Sequence, residues 1–267
     1  MKITRELIGA KPRERQSLLS EISVKKDIIC GKNAVIEALK NGRGIHRIVI
    51  ALGNVGGGAK EVMNLAKEKD VEIDRMPRER LNKLAKNHQG IVAFVTPVPY
   101  ATVEDILAKA KAKNEAPFLL LLDEITDPRN LGAIIRSAEA FGAHGVLLPK
   151  RRSVPLNETV AKTSAGAIEY VPVAKIGNAV QTLENLKKNG FWAVGADMAG
   201  EDTQTVDFTL PTVLVIGSEG KGISRLLREK LDMTVKIPMM GKINSLNASV
   251  AAAILMYEVM KRRKLDG

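Results

Sequence analysis

Six near-continuous apolar runs dominate the second half of the chain: FLLLLDEI (118–125), GVLLP (145–149), VPVAKI (171–176), FWAVGAD (191–197), TVLVIGS (212–218) and TVKIPM (234–239). A strand with one face in water alternates apolar and polar residues. A continuous run marks a strand covered on both faces, the pattern of a parallel sheet between two helix layers. Helical segments starting near Asn130, Asn157, Asn178, Ser224 and Asn247 separate these runs. The expected fold class is therefore α/β, with a six-stranded, doubly wound parallel-sheet domain at the C-terminal end.

Upstream the texture differs. Residues 1–26 form a charged stretch, read as a basic N-terminal arm. A helix with Asn33 as its cap, a β-rich HRIVIAL run (46–52), a glycine loop (53–58), helices near 59–70 and 77–87, and strands at 71–75 and 91–97 suggest a small α/β unit. TVEDILAKAKAKNE (102–115) reads as an amphipathic linker helix opened by Thr102, with Glu104 and Asp105 in its first turn. The expected division is thus 1–26 arm, 27–98 small unit, 99–116 linker helix and 117–267 parallel-sheet domain.

Charge separates the two units. The chain holds 41 Lys and Arg against 30 Asp and Glu, a formal +11 over its 267 residues. Residues 1–100 contribute 19 and 11 of these, net +8, and residues 101–267 contribute 22 and 19, net +3. A surplus concentrated in the first third points to a polyanionic partner held by that unit. Aromatic residues are only 3%, which favours phosphate and shape contacts over base stacking. Lys32, Arg43, Arg47, Arg78, Arg80 and Lys83 are the candidates for phosphate contact.

Other function classes are excluded or made remote. No apolar run approaches the roughly 18 residues of a membrane span and the N-terminus has no apolar signal core, so a soluble, cytoplasmic protein is expected. A single cysteine, Cys30, excludes an internal disulfide and reads as a small buried hydrophobe, while the scattered His46, His88 and His144 suggest no zinc site; no metal is expected. GSEGKG (217–222) lacks the Ser or Thr that must follow the lysine of a P-loop. It also fails the dinucleotide fingerprint, which belongs after the first strand of a sheet.

In an open α/β sheet, ligands collect beyond the carboxyl ends of the strands. The segment FWAVGADMAG (191–200) offers Gly195 and Asp197 there, and three others are unusual: DPRNLGAIIRSAEAFG (127–142), VLVIGSEGKGISRLLREKLD (213–232) and IPMMGKINSLNASVAAAILMYE (237–258). Together they resemble the three ordered motifs of the SpoU (TrmH-like) branch of the SPOUT RNA 2'-O-ribose methyltransferases. The first unit, beginning CGKNAVIEAL (30–39), resembles that family's RNA-substrate-binding domain, with the 23S rRNA guanosine-2'-O-methyltransferases nearest in appearance.

The resemblance implies a deep trefoil knot in the catalytic domain, S-adenosylmethionine bound in a bent conformation, and a homodimer through the catalytic domain. It places cofactor contacts on Gly217, Ser218, Ile237, Met239 and Leu246. Catalytic or RNA-handling roles fall on Asn130, Arg136, Glu219, Ser245, Asn247 and Ser249, the last three within a polar cluster that also includes Asn244. Asn130 is read both as a helix cap and as a direct participant. Glu219 is expected to accept hydrogen bonds from the Asn130 and Arg136 side and to hold that arginine in place. Neutral arginine is costly at a guanidinium pKa above about 12, and a neighbouring phosphate raises that value further, so Arg136 is expected to act electrostatically and not as a base. The implied activity is methylation of a ribose in large-subunit ribosomal RNA. The alternatives are transfer RNA as the substrate, or a non-catalytic ribosomal-RNA-binding assembly factor.

Overall fold

The computed structural model describes residues 27–53, 56–242 and 245–265. The arm at 1–26 and Asn244 lie outside the described residues. The basic unit is built from β1 (Asp27–Cys30), α1 (Lys32–Lys40), β2 (Ile45–Ala51), α2 (Gly57–Glu68), β3 (Ile73–Met76), α3 (Arg78–Leu84) and β4 (Ile91–Val95). Its sheet has the order β1-β4-β2-β3, with β2 and β3 parallel and β4 antiparallel to both β1 and β2.

Two details here depart from the sequence reading. The short strand β1 was not expected, because four residues ending at Cys30 carry too little periodicity to stand out. The first helix is capped by Gly31 instead of Asn33; Gly31 has φ +93, a left-handed value that glycine tolerates.

The linker helix α4 (Val103–Ala112) starts with a full capping box between Thr102 and Asp105. Beyond it run β5 (Phe118–Leu122), α5 (Pro128–Ala140), β6 (Gly145–Pro149), α6 (Glu158–Thr163), β7 (Val173–Ile176), α7 (Ala179–Lys188), β8 (Trp192–Asp202), β9 (Thr212–Ile216), α8 (Arg225–Arg228), β10 (Met233–Lys236) and α9 (Ala248–Leu265). The six strands form one parallel sheet in the order β10-β8-β9-β5-β6-β7. On β5, Leu120 and Leu122 pack into the core shared with α5 and α9, while Leu119 and Leu121 face the core lined by α4 and α7. Each is 0% exposed, and full burial of such a side chain contributes about 1.5–3 kcal/mol.

The chain order sets where a ligand can enter. From β5 the chain steps outward through β6 and β7, then crosses back so that β9 lies against the opposite edge of β5. The β5/β9 boundary is a switch point, where the loops leaving neighbouring strands diverge and open a crevice at their carboxyl ends.

The two units are bolted together through α6 and the turn after it. Arg43 donates from Nη1 to Glu169 Oε1 at 2.7 Å and from Nε to the Thr96 carbonyl at 2.8 Å. Tyr170 donates its hydroxyl to Glu37, Cys30 donates its thiol to Glu158 at 3.2 Å, and Lys162 donates to the Lys86 carbonyl. With side-chain exposures of 7% for Arg43 and 8% for Glu169, this pair is buried. Arg43 was expected to grip phosphate; its charge is instead consumed between the units.

Candidate active site

Helix α5 begins one turn earlier than its asparagine suggested. Asp127 is the N-cap, its side chain accepting from the Arg129 N–H at 2.7 Å, and Pro128 occupies the first helical position. Asn130 is therefore released from capping. It lies inside the first turn, 8% exposed, and donates from Nδ2 to Glu219 Oε1 at 2.9 Å. Asn247 stands immediately before α9, donates to Asn130 Oδ1 at 3.1 Å, and donates to Glu219 as well. Its own Oδ1 accepts from the Ser249 N–H and hydroxyl at 2.9 and 2.6 Å, the bonds expected of a helix cap.

Glu219 thus accepts two amide donors at the point where the N-termini of α5 and α9 converge. Both helix dipoles favour its negative charge. Arg136 does not join this network. It is exposed and, among the described residues, makes no hydrogen bond or ion pair, so Glu219 holds two asparagines and not the arginine.

The loop carrying Glu219 is folded back tightly. Ser218 and Gly222 exchange backbone hydrogen bonds at 3.1 and 2.9 Å, and Gly220 and Gly222 take φ +80 and +67. A Cβ on Gly217 would lie 2.1 Å from the Gly222 carbonyl carbon, so only glycine lets this turn close. Asp123, at the end of β5, ties the loop down by accepting from the Ser224 N–H at 2.7 Å.

Beside the loop opens a cleft of about 450 Å³. Ile216, Val235, Ile237, Met239, Leu246 and Leu255 form its apolar wall; Gly217, Ser218, Glu219 and Ser245 line it as well. All five residues expected to touch a cofactor therefore face one cavity, together with two of those expected to be catalytic. Asn130 and Asn247 reach it through Glu219. Arg136 does not line it. The Asp197–Arg228 ion pair closes another side; Asp197, expected at the end of its strand, lies within β8, and nothing in the local sequence marked Arg228.

A cavity of this size, largely apolar with a few convergent polar groups, has the form of a small-molecule or cofactor site. The tight loop exposes backbone to such a ligand, and a carboxylate at the rim suits a cationic centre. Among the described residues no group of three or more His, Cys, Asp or Glu is placed to hold a metal ion.

In the small unit Lys32, Arg78, Arg80 and Lys83 are exposed. Arg47 lies over the Phe94 ring at 5.0 Å and pairs with Asp74 at 3.2 Å, its side chain 43% exposed. Among the described residues no helix is long and apolar enough to cross a membrane.

Comparison with known proteins agrees with this arrangement. Residues 117–257 match the SpoU rRNA Methylase family, and residues 28–101 match the family described as RNA 2'-O ribose methyltransferase substrate binding. A TrmH family tRNA/rRNA methyltransferase of Bacillus subtilis is 50% identical over 248 residues, covering 92% of this chain and 100% of the relative. The SpoU methyltransferase AviRb of Streptomyces viridochromogenes, solved with S-adenosylmethionine, superposes with a TM-score of 0.75 at 25% identity, covering 100% of this chain and 98% of that one. An S-adenosylmethionine-bound rRNA methyltransferase of Sinorhizobium meliloti gives 0.73 at 25% identity, covering 94% and 91%. The chain belongs to the SpoU family and is an RNA ribose 2'-O-methyltransferase that uses S-adenosylmethionine.

Proposed function

We propose that this enzyme methylates the 2'-oxygen of a guanosine ribose in large-subunit ribosomal RNA. Residues 27–98 would hold the RNA, 99–116 would link, and 117–267 would form a knotted catalytic domain that works as a homodimer. The observation that carries the reading is the Asn130–Glu219–Asn247 network at the rim of an apolar cleft.

Ile237, Met239 and Leu246 supply the apolar wall for the adenosine portion, and the Gly217–Ser218 backbone offers it hydrogen-bonding groups. When bound, S-adenosylmethionine supplies an electrophilic methyl on a positively charged sulfur. The chain's own part is alignment and charge. Glu219 fixes the Asn130 and Asn247 amides, so that the edge of the cleft keeps one geometry before substrate arrives. Ser245 places a hydroxyl at the same rim, within the cleft that the ribose must approach.

Arg136, unpaired among the described residues, is available to align a phosphate and to stabilise negative charge developing on the 2'-oxygen. It lies outside its own cleft. The homodimer reading supplies a place for it, at the cleft of the partner. Val250 and Tyr257 on α9, both 45% exposed, support a face that packs against a second copy; Tyr257 also meets Phe141, the C-cap of α5, edge to face at 5.9 Å.

The test is transfer of labelled methyl from S-adenosylmethionine to large-subunit ribosomal RNA, followed by mapping of methylated riboses. A single 2'-O-methylguanosine is expected. Label appearing only in transfer RNA would favour the alternative substrate, and no label in either would leave a binding factor.

A further inference from the structure

A second basic site adjoins the catalytic rim, and it lies outside the unit that carries most of the charge. Strand β6 ends at Pro149 and runs into Lys150, Arg151 and Arg152, all exposed at the carboxyl edge of the sheet. The side chains of Lys150 and Arg151 make no hydrogen bond or ion pair among the described residues. Arg152 is different. Its guanidinium pairs with Glu124 Oε1 at 2.7 Å, and both residues hold left-handed backbone, φ +55 and +57. Non-glycine residues hold that conformation at a cost, and persist there where surrounding contacts over-determine it.

Those contacts fix the loop on every side. The Lys150 N–H donates to the Ile176 carbonyl at 2.8 Å, and the Val154 N–H donates to the Ile125 carbonyl at 3.1 Å. The Leu156 N–H donates to the Tyr100 hydroxyl at 2.9 Å. The loop is thus clamped to the 123–127 segment that leads into Asn130. Its far end, at Asn157 and Glu158, opens α6 where Cys30 of the small unit docks. Arg129, exposed and next to Asn130 in the chain, adds a further positive charge in the first turn of α5. The nearby acids are already engaged: Glu124 by Arg152, Asp123 by the Ser224 N–H, and Asp127 by the Arg129 N–H.

We propose that Lys150 and Arg151 form a phosphate-binding step on the RNA path between the substrate-holding unit and the catalytic rim, with the Glu124–Arg152 pair keeping the loop that carries them in register. The occupant is the RNA sugar-phosphate backbone near the reacting ribose. The site attracts it through charge and reads no base, so it contributes affinity and placement across sequences. The proposal rests on RNA being the substrate.

The experiment measures binding of a protein-free large-subunit ribosomal RNA transcript to the full chain at several salt concentrations. It compares wild type, Lys150→Ala/Arg151→Ala, and a control that removes two charges from the opposite edge of the sheet, Lys113→Ala/Lys188→Ala. The first double variant is expected to lose affinity on the order of tenfold near 150 mM salt. Its slope of log affinity against log salt should become shallower by about two contacts' worth. The control is expected to change neither by comparable amounts. Calorimetry with S-adenosylmethionine checks that the variant's cleft is intact. An unchanged slope, or an equal loss in both variants, would overturn the proposal. Methyl transfer by the wild type reports separately on the substrate reading, since binding can be measured whether or not this RNA is methylated.

Discussion

Replacing Glu169 with alanine tests how the two units are held. The Glu169 carboxylate meets Arg43 at 2.7 Å, and with exposures of 7% and 8% the pair escapes the solvent screening that makes surface ion pairs weak. Removing one partner of a buried pair typically costs about 3–5 kcal/mol, because the remaining charge stays buried without compensation. Here the Arg43 Nε–Thr96 carbonyl bond survives, so the lower end, about 3 kcal/mol, is expected.

Urea denaturation followed by far-ultraviolet circular dichroism reads the whole chain, while fluorescence of Trp192 on β8 reads the catalytic unit. In Glu169→Ala the midpoint should fall, and the two probes should separate as the units uncouple. An apolar replacement of both partners, Arg43→Met/Glu169→Leu, is expected within about 1 kcal/mol of wild type, since it removes charge and desolvation together. A loss below about 1 kcal/mol in Glu169→Ala would refute the reasoning, showing that Arg43 finds water or another partner when its carboxylate goes.

Three further expectations follow from the site and the core. Asn130→Ala removes one of the two amides held by Glu219; turnover should fall on the order of 10², with S-adenosylmethionine affinity by calorimetry little changed. Gly217→Ala places a methyl group 2.1 Å from the Gly222 backbone, so the loop must open and cofactor binding by calorimetry should be lost while the sheet remains folded by circular dichroism. His144 is buried, accepts the Phe118 N–H at Nδ1 and meets Glu115 through Nε2. Burial lowers its pKa from 6.5, opposed by Glu115. The native state then binds fewer protons than the unfolded chain as pH falls below 6.5. That part of the stability is present above pH 6.5 and is lost as pH falls through the lowered native value. The urea midpoint should decline between pH 7.5 and 5, and His144→Gln should flatten the decline.

The fold was legible where local pattern and burial coincide. FLLLL could be read as a doubly covered strand because every residue of β5 is buried, and TVEDI as a helix start because Thr102 and Asp105 cap each other within four positions. The residues that line the cleft were legible through long ordered motifs at the ends of β9 and β10. Lys150–Arg152 escaped notice in a domain of nearly balanced charge, where three basic residues change little in a sum and only the packing of neighbouring loops shows which charges stay unpaired.

By itself the sequence determined the strands and helices other than β1, the uneven distribution of charge and the family motifs, because propensity, periodicity and composition act within a few residues of one another. Tertiary structure decided what depends on separation along the chain. Glu219 meets Asn130 from 89 positions away and Asn247 meets Asn130 from 117, so the partners of the rim carboxylate were set by strand order and not by local spacing. Asp127 took the cap that Asn130 resembled, freeing the asparagine for the site. Arg43, one basic residue among many in the linear sequence, became a buried strut because Glu169 arrived beside it. A charge has no fixed role until the fold sets its distance from water and from the opposite charge.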